Sequence, residues 1–217
     1  MDNQFRQRLE SGIDALSMSF SEETITTLLA YHQLLIKWNK AYNLTAVRNP
    51  NEMIDRHLLD SLSIATYLKG GRFIDVGAGA GLPGIILAII FPHRAFDLLD
   101  SNGKKTRFLF QVKTELELDN IQIHHCRVEQ YKGAFYDGIL SRAFATLADM
   151  VQGSQQLLAE QGCFYAMKGV YPEDELKQLS QVQKSYKVKA CHQLSVPNND
   201  GHRHLIILQK NREQSLG

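Results

Sequence analysis

Residues 73–84 read F-I-D-V-G-A-G-A-G-L-P-G, and no other stretch of the chain narrows its possible folds as much. An apolar run of Phe73, Ile74 and Val76 ends in glycines at alternate positions, Gly77, Gly79 and Gly81. The pattern then turns helical from Leu82 through Pro83, Gly84 and Ile85 to Ile90. A strand, a tight glycine turn and a helix start in that order bring bare backbone against a nucleotide-like ligand at the edge of an open α/β sheet. Glycine permits positive φ and has no side chain to block the approach. Pro83 suits the first turn of the helix, where its missing N–H is not needed.

Two ligand classes compete for that turn. Residues 79–84 satisfy G-x-G-x-x-G, and Asp100 follows at nearly the spacing of about 20 residues that a dinucleotide site requires. Asp75, however, places a carboxylate two residues before the first glycine. It would repel a pyrophosphate and attract a ligand carrying an amino group and a sulfonium, which favours S-adenosylmethionine over NAD. Asp75 has another possible role, bonding the backbone N–H groups of the turn itself.

The 217 residues provide for one α/β domain plus a helical appendage. With 44% hydrophobic and 22% charged residues the composition is that of an ordinary soluble protein. No apolar run reaches membrane-spanning length, and the first residues lack the pattern of a signal peptide. Cys126, Cys163 and Cys191 are odd in number and far apart, suggesting neither a disulfide framework nor a zinc site, so a reducing cytoplasm is expected. A formal net charge of +1 argues against bulk nucleic-acid binding. Locally, though, Lys104, Lys105, Arg107 and Lys113 follow one another without an acid between them. That is a candidate RNA-facing patch, or simply a solvated helix face.

Residues 3–68 have helical periodicity. Phe5, Leu9, Ile13 and Leu16 form one stripe, and Ser21 offers an N-cap to a second helix carrying Ile25, Leu28, Leu29, Leu35 and Trp38. Residues 38–45 are expected to break that helix, and Pro50 opens a third, with Met53, Ile54, His57, Leu58, Leu62 and Ile64 near one face. Beyond Gly70-Gly71, strands are expected at 72–76, 95–99, 121–125, 138–141, 162–167, 187–194 and 204–209. Helices are expected at 83–91, 103–116, 147–158 and 173–185. Repeated βα units imply a mainly parallel sheet covered on both faces. The last two strands have no helix between them and should form a closing antiparallel hairpin, as in a methyltransferase sheet rather than a dehydrogenase. The division is thus a helical extension over 1–70, a ligand-binding domain over 71–212 and a disordered tail over 213–217.

Ligands in such a sheet sit outside the carboxyl ends of the strands. Asp100 can accept from both ribose hydroxyls or cap the following helix. Val128 and Glu129 fall where adenine should rest, one an apolar wall and the other a polar contact. Arg142 ends a mid-sheet strand, where a charge needs either a structural carboxylate or a ligand. Phe144 could stack on a base or join the core. Ser141-Arg142-Ala143-Phe144 is unlike the Asn/Asp-Pro-Pro-aromatic motif of enzymes that methylate exocyclic amines. Lys168 could meet RNA phosphate or face solvent. His202, His204, Cys191 and His192 do not match a metal spacing, so no metal is expected. His57 reads as a buried, satisfied histidine.

Several separated motifs together resemble the bacterial 16S ribosomal RNA guanine-N7 methyltransferase family, formerly called glucose-inhibited division protein B. They are K-W-N-K-A-Y-N-L-T at 37–45, R-H-L-L-D-S at 56–61, the 73–84 stretch, L-L-D-S at 98–101, I-L-S-R-A-F-A at 139–145 and M-K-G at 167–169. The resemblance implies a class I S-adenosylmethionine-dependent methyltransferase fold, Rossmann-like, with a mostly parallel seven-stranded sheet, a C-terminal antiparallel hairpin and an N-terminal helical extension. It implies Gly77, Leu82, Val128, Glu129 and Arg142 as cofactor contacts, Asp100 at the ribose, and Lys104 and Arg142 on the RNA side. The spacing and charge of the chain add Asp75, Gly79 and Gly81 to the expected cofactor set and Lys105, Arg107 and Lys168 to the expected RNA set. Arg142 would position the reactants, with no general base. Ala78, Ala80 and Asn102 depart from the family's usual residues, which removes any side-chain hydroxyl contact from the loop. The implied substrate is one guanine in the 530 loop of 16S rRNA, position 527 in the usual rRNA numbering, within the 30S subunit or a precursor, acted on by a monomer. The competing functions are methylation of a small molecule, ribosome assembly without catalysis, and NAD-dependent dehydrogenation.

Overall fold

The computed structural model describes residues 2–142 and 146–211. Phe144 and the expected tail over 213–217 lie outside the described residues.

Helical segments come first. Helix α1 (Asp2–Ala15) is followed by α2 (Glu22–Tyr42), whose N-terminus is capped by the Ser21 hydroxyl accepting from Thr24 N–H at 3.2 Å. Residues 38–42 do not break α2. The helix continues to Tyr42 because Asn43, in the left-handed region at φ 52°, closes it with its N–H on Asn39 O. Asn39 then turns its buried amide outward from the helix to hold the next loop. Its Nδ2 donates to Val47 O at 3.0 Å and its Oδ1 accepts from Thr45 N–H at 2.9 Å.

The third helix is not uniform. A short α3 (Pro50–Met53) leads into a π-helical turn, Ile54–Leu59, and on into α4 (Asp60–Leu62). The π turn widens the helix, with Asp60 N–H reaching back to Asp55 O, and it buries Asp55, His57 and Asp60 together with their apolar neighbours. That side-chain set is too polar for the one-faced helix expected from the periodicity, and it belongs to the site described below.

Seven strands form one sheet in the order β3-β2-β1-β4-β5-β7-β6. They are β1 (Arg72–Val76), β2 (Ala95–Asp100), β3 (Ile121–His125), β4 (Tyr136–Ser141), β5 (Leu158–Lys168), β6 (Tyr186–Gln193) and β7 (His204–Lys210). The first five pair in parallel, while β7 runs antiparallel between β5 and β6, forming the expected closing hairpin. The order reverses between β1 and β4, which opens a crevice at the carboxyl ends of the parallel strands. β5 begins at Leu158 rather than at 162, because Leu158 pairs with Tyr136 ahead of a register shift in β4. Helix α7 (Leu147–Ser154) accordingly stops early, in a 3₁₀ turn.

Alternation along the strands sorts the core onto two faces. Tyr165 and Met167 of β5 and Leu205 and Ile207 of β7 point into one cluster with α1, α2, α5 (Gly84–Ile90) and α6 (Gly103–Glu115). Phe164 and Ala166 point the other way, with Ile206 and Leu208, against α7 and α8 (Glu173–Val182). The N-terminal helices and the sheet thus share one apolar core, and Gly70-Gly71 marks a change of secondary structure within it. No helix among the described residues is long and apolar enough to cross a membrane.

Candidate functional site

The glycine turn after β1 has an open side and a packed side. Gly77, Gly79 and Gly81 have φ of 73°, 61° and 85°. A Cβ on Gly77 would meet nothing within 4 Å, and one on Gly79 would meet only Gly77 O at 3.8 Å and Lys105 Nζ at 3.9 Å. Their backbone is therefore bare on the side facing the crevice. Gly81 faces inward instead, where a Cβ would come within 2.3 Å of Ile85 Cγ1. Leu82 is buried beside it, and α5 starts one residue later than Pro83, at Gly84. From behind, the fully buried Tyr31 of α2 donates its hydroxyl to Ala80 O at 2.7 Å, so the helical extension braces the turn.

Asp75 lies beneath this turn, 1% exposed. Its Oδ2 accepts from Gly84 N–H at 2.9 Å, which ties β1 to the start of α5 rather than capping the glycine turn. Its Oδ1 is buried with no hydrogen-bond partner. Burial pushes the Asp75 carboxyl up to about 7, against the opposing pull of the Gly84 N–H and of Arg142. An orphaned carboxylate oxygen beneath an open glycine cradle fits a ligand that brings positive charge and N–H donors.

Asp100, at the end of β2, accepts from Gly79 N–H at 2.9 Å through Oδ2 and from Asn102 N–H at 2.8 Å through Oδ1. It does not cap α6. Asn102 does, its Oδ1 accepting from Lys104 N–H at 2.9 Å and Lys105 N–H at 3.4 Å. Asp100 is thereby free to close one wall of a cavity of about 180 Å³ shared with Gly77, Leu99 and the buried Val128, with the exposed Glu129 at its mouth. This hollow lies over β1, β2 and β3 and has the donors, acceptors and apolar wall that an adenosine group needs.

On the other side of β1, over β4 and β5, a second cavity of about 300 Å³ is lined by Arg56, His57, Asp60, Arg142, Lys168 and Arg203, with Val47 and Met167 as apolar walls. Arg142 has the structural carboxylate its position demanded. Its Nη1 lies 3.5 Å from Asp60 Oδ2, donates to Arg56 O at 3.2 Å and sits 3.4 Å from His57 Nδ1. His57 is held in turn by Thr45 Oγ1 at 2.8 Å. Burial and the nearby Arg142 charge depress its pKa to about 3. Asp60 is raised by burial and drawn back by the two arginines facing it.

The expected RNA-side cations are distributed differently. Lys104 and Arg107 are exposed on α6, but Lys105 stands 3.9 Å from Asp100 Oδ2 at the cofactor-side rim. Lys113 is tied to Ile121 O at 2.7 Å. Lys168 does not face open solvent: only 15% of its side chain is exposed, and it pairs with Glu175 at 2.8 Å. Among the described residues no three His, Cys, Asp or Glu side chains stand together as a metal cluster. His192 stacks on Tyr67, and His204 bonds Gly169 O.

Sequence reasoning missed Asp60 and Arg203 and set His57 aside. R-H-L-L-D-S at 56–61 carried the first signal, since a histidine and an aspartate three apart fall close together on a helix. Arg203, just before β7, had no local signal.

Comparison with known proteins identifies the family and the fold. The family model described as rRNA small subunit methyltransferase G, GidB, matches residues 24–206. The chain is 51% identical to the ribosomal RNA small subunit methyltransferase G of Stutzerimonas stutzeri strain A1501, covering 94% of this chain and 95% of that one. It is 50% identical to the protein of that name from Pseudomonas syringae pv. syringae strain B728a, over 95% and 96%. Among solved structures, the glycopeptide N-methyltransferase MtfA complexed with (S)-adenosyl-L-methionine superposes with a TM-score of 0.62 at 9% identity, over 71% of this chain and 87% of that one. At that identity the likeness is of the fold, that of class I S-adenosylmethionine-dependent methyltransferases. By its sequence along nearly its whole length, the chain belongs to the rRNA small subunit methyltransferase G family.

Proposed function

We propose that this protein transfers a methyl group from S-adenosylmethionine to N7 of a guanine in 16S rRNA, in the 530 loop. S-adenosylmethionine brings the methyl group on a sulfonium, already activated for transfer. Gly77 and Gly79 leave backbone open to the cofactor, Asp100 accepts from its ribose, and Val128 and Glu129 flank its adenine. Asp75 Oδ1 offers an unpartnered acceptor on a carboxyl that a cationic cofactor would drive to its ionised form.

One observation carries the choice of N7. The cavity beside the cofactor hollow is cationic, and among the described residues lining it there is no competent base. His57, depressed to about 3, takes up a proton poorly near neutrality, and both Asp60 oxygens face guanidinium groups. A hydroxyl or amine nucleophile would need a base there, whereas guanine N7 presents a lone pair and no proton. The chain's task is alignment, which can lower a barrier by several kcal/mol. Arg142, on the lining of the cationic cavity, positions the base, bonding O6 or a flanking phosphate. Residues 71–212 carry the cofactor, residues 1–70 supply the wall with His57 and Asp60, and Lys104 and Arg107 extend the RNA surface. The substrate is the 30S subunit or a precursor, met in the cytoplasm by a monomer. The chemistry calls for no metal.

Purified protein incubated with labelled cofactor and under-methylated 30S subunits should yield 7-methylguanine, detected by mass spectrometry of the digested rRNA. No such product would overturn the reading. Transfer should also weaken steeply with ionic strength, whereas a small-molecule substrate would be indifferent to salt.

A further inference from the structure

The cationic cavity contains an arrangement that methyl transfer alone does not require. Asp60, on the turn that leaves the π-helical segment, has only 4% of its side chain exposed. Its Oδ2 lies 3.5 Å from Arg142 Nη1, and its Oδ1 accepts from Arg203 Nε at 3.1 Å. One buried carboxylate therefore serves two guanidinium groups that come from distant parts of the chain, the end of β4 and the approach to β7. Arg142 and Arg203 remain 25% and 22% exposed, each reaching the cavity. Glu175 already neutralises Lys168 at 2.8 Å. Arg56, also on the lining, pairs with Glu52 at 3.5 Å. Among the described residues lining the cavity Asp60 is the one carboxylate, so the guanidinium charges of Arg142 and Arg203 meet a single negative charge. A partly exposed pocket with a surplus positive charge and a pair of planar forks suits a tetrahedral anion held by two arginines.

We propose that Arg142 and Arg203 clamp one phosphodiester of the RNA beside the target nucleotide, and that Asp60 is the positioning residue that sets the two forks at the spacing the phosphate requires. This rests on the reading above that RNA is the substrate. The topology supports the geometry. β7 is antiparallel, so its first residues reach the same rim as the carboxyl ends of β4 and β5, and Arg203 faces Arg142 across the cavity. The N-terminal helices thus take part in substrate binding by placing Asp60 between two arginines that the sheet brings together.

The sign of one substitution separates positioning from simple charge. Asp60→Asn removes a negative charge from an RNA-binding cavity. If Asp60 were only a counter-charge, its loss would tighten RNA binding; as a positioning residue, its loss weakens it. The test is equilibrium binding of 30S subunits and of a free 16S rRNA transcript to the full-length protein, with S-adenosylhomocysteine present, across a salt series. Asp60→Asn should raise the Kd for RNA about fivefold with the salt slope retained, since both cations remain. Arg203→Gln should raise it about tenfold and reduce the slope by about one, as for one lost phosphate contact. The double variant should be little worse than Arg203→Gln, because both act on one contact. Affinity for S-adenosylhomocysteine should stay at the wild-type value in each, which a general loss of structure would not allow.

Tighter or unchanged RNA binding by Asp60→Asn, or effects that multiply in the double variant, would overturn the proposal. If Asp60→Asn does not fold, Arg203→Lys decides: it keeps the charge and loses the fork, and a wild-type Kd would refute the clamp. RNA binding without methyl transfer by the wild-type protein would defeat the proposed reaction while the clamp was judged on Kd alone. No RNA binding by the wild type would defeat both.

Discussion

Asp75 should couple cofactor binding to pH. Its carboxyl is 1% exposed and stands at about 7 instead of its ordinary 3.8, chiefly because burial disfavours the charged form. A carboxyl held that high carries on the order of 4 kcal/mol of bias towards its neutral form. The sign follows from linkage. Because the folded value is raised, the stabilisation is fully present below about 3.8 and is lost as pH rises through about 7. A cationic cofactor acts in the opposite sense, favouring the ionised carboxylate, so binding below pH 7 should release a proton. If the bound carboxyl falls back to 5 or below, affinity for S-adenosylmethionine should rise about tenfold between pH 6 and pH 8. Calorimetric titrations at pH 6, 7 and 8, in buffers of different ionisation enthalpy, measure both the affinity and the proton count. Asp75→Asn keeps an acceptor for Gly84 N–H and should show no such slope, and the difference between the two proteins cancels any ionisation of the ligand. Equal pH slopes in wild type and Asp75→Asn would refute the coupling.

Asp100→Ala removes both the expected ribose acceptor and the partner of Gly79 N–H; the KM for cofactor should rise at least tenfold, and an unchanged value would remove Asp100 from the site. Arg142→Ala should lower kcat/KM by about a hundredfold or more with the circular dichroism spectrum retained, since Asp60 keeps Arg203 as its partner; wild-type turnover would exclude it. Tyr31→Phe deletes a single hydroxyl, its bond to Ala80 O, and leaves the ring in place near Phe108. It should cost about 1 kcal/mol of stability in denaturant titration and raise the cofactor KM with kcat little changed; a fall in kcat at constant KM would contradict the bracing role.

What the chain revealed before it was folded is what local spacing encodes. The alternating glycines at 77, 79 and 81, the carboxylates at 75 and 100 and the βα succession each depend on neighbours a few residues away, so the cofactor half of the site was legible. An apolar run also marked β1, because a strand covered by helices on both faces is buried along its length and does not alternate with polar residues. Local signals failed where a distant partner decided the outcome. Residues 38–42 stayed helical because Asn39 and Asn43 organise the exit. Lys105 and Lys168 counted as free cations until Asp100 and Glu175 were brought beside them.

The substrate side shows the limit most clearly. His57, Asp60, Arg142 and Arg203 come from separate parts of the chain, and no spacing in the sequence relates the last to the rest. Only the reversal of strand order at β1 and β4, and the antiparallel return of β7, set them around one cavity. Local sequence determined that this protein has a glycine elbow with a carboxylate two residues before it. Tertiary packing decided which charges face each other across the rim, because the field at a buried group is set by neighbours in space.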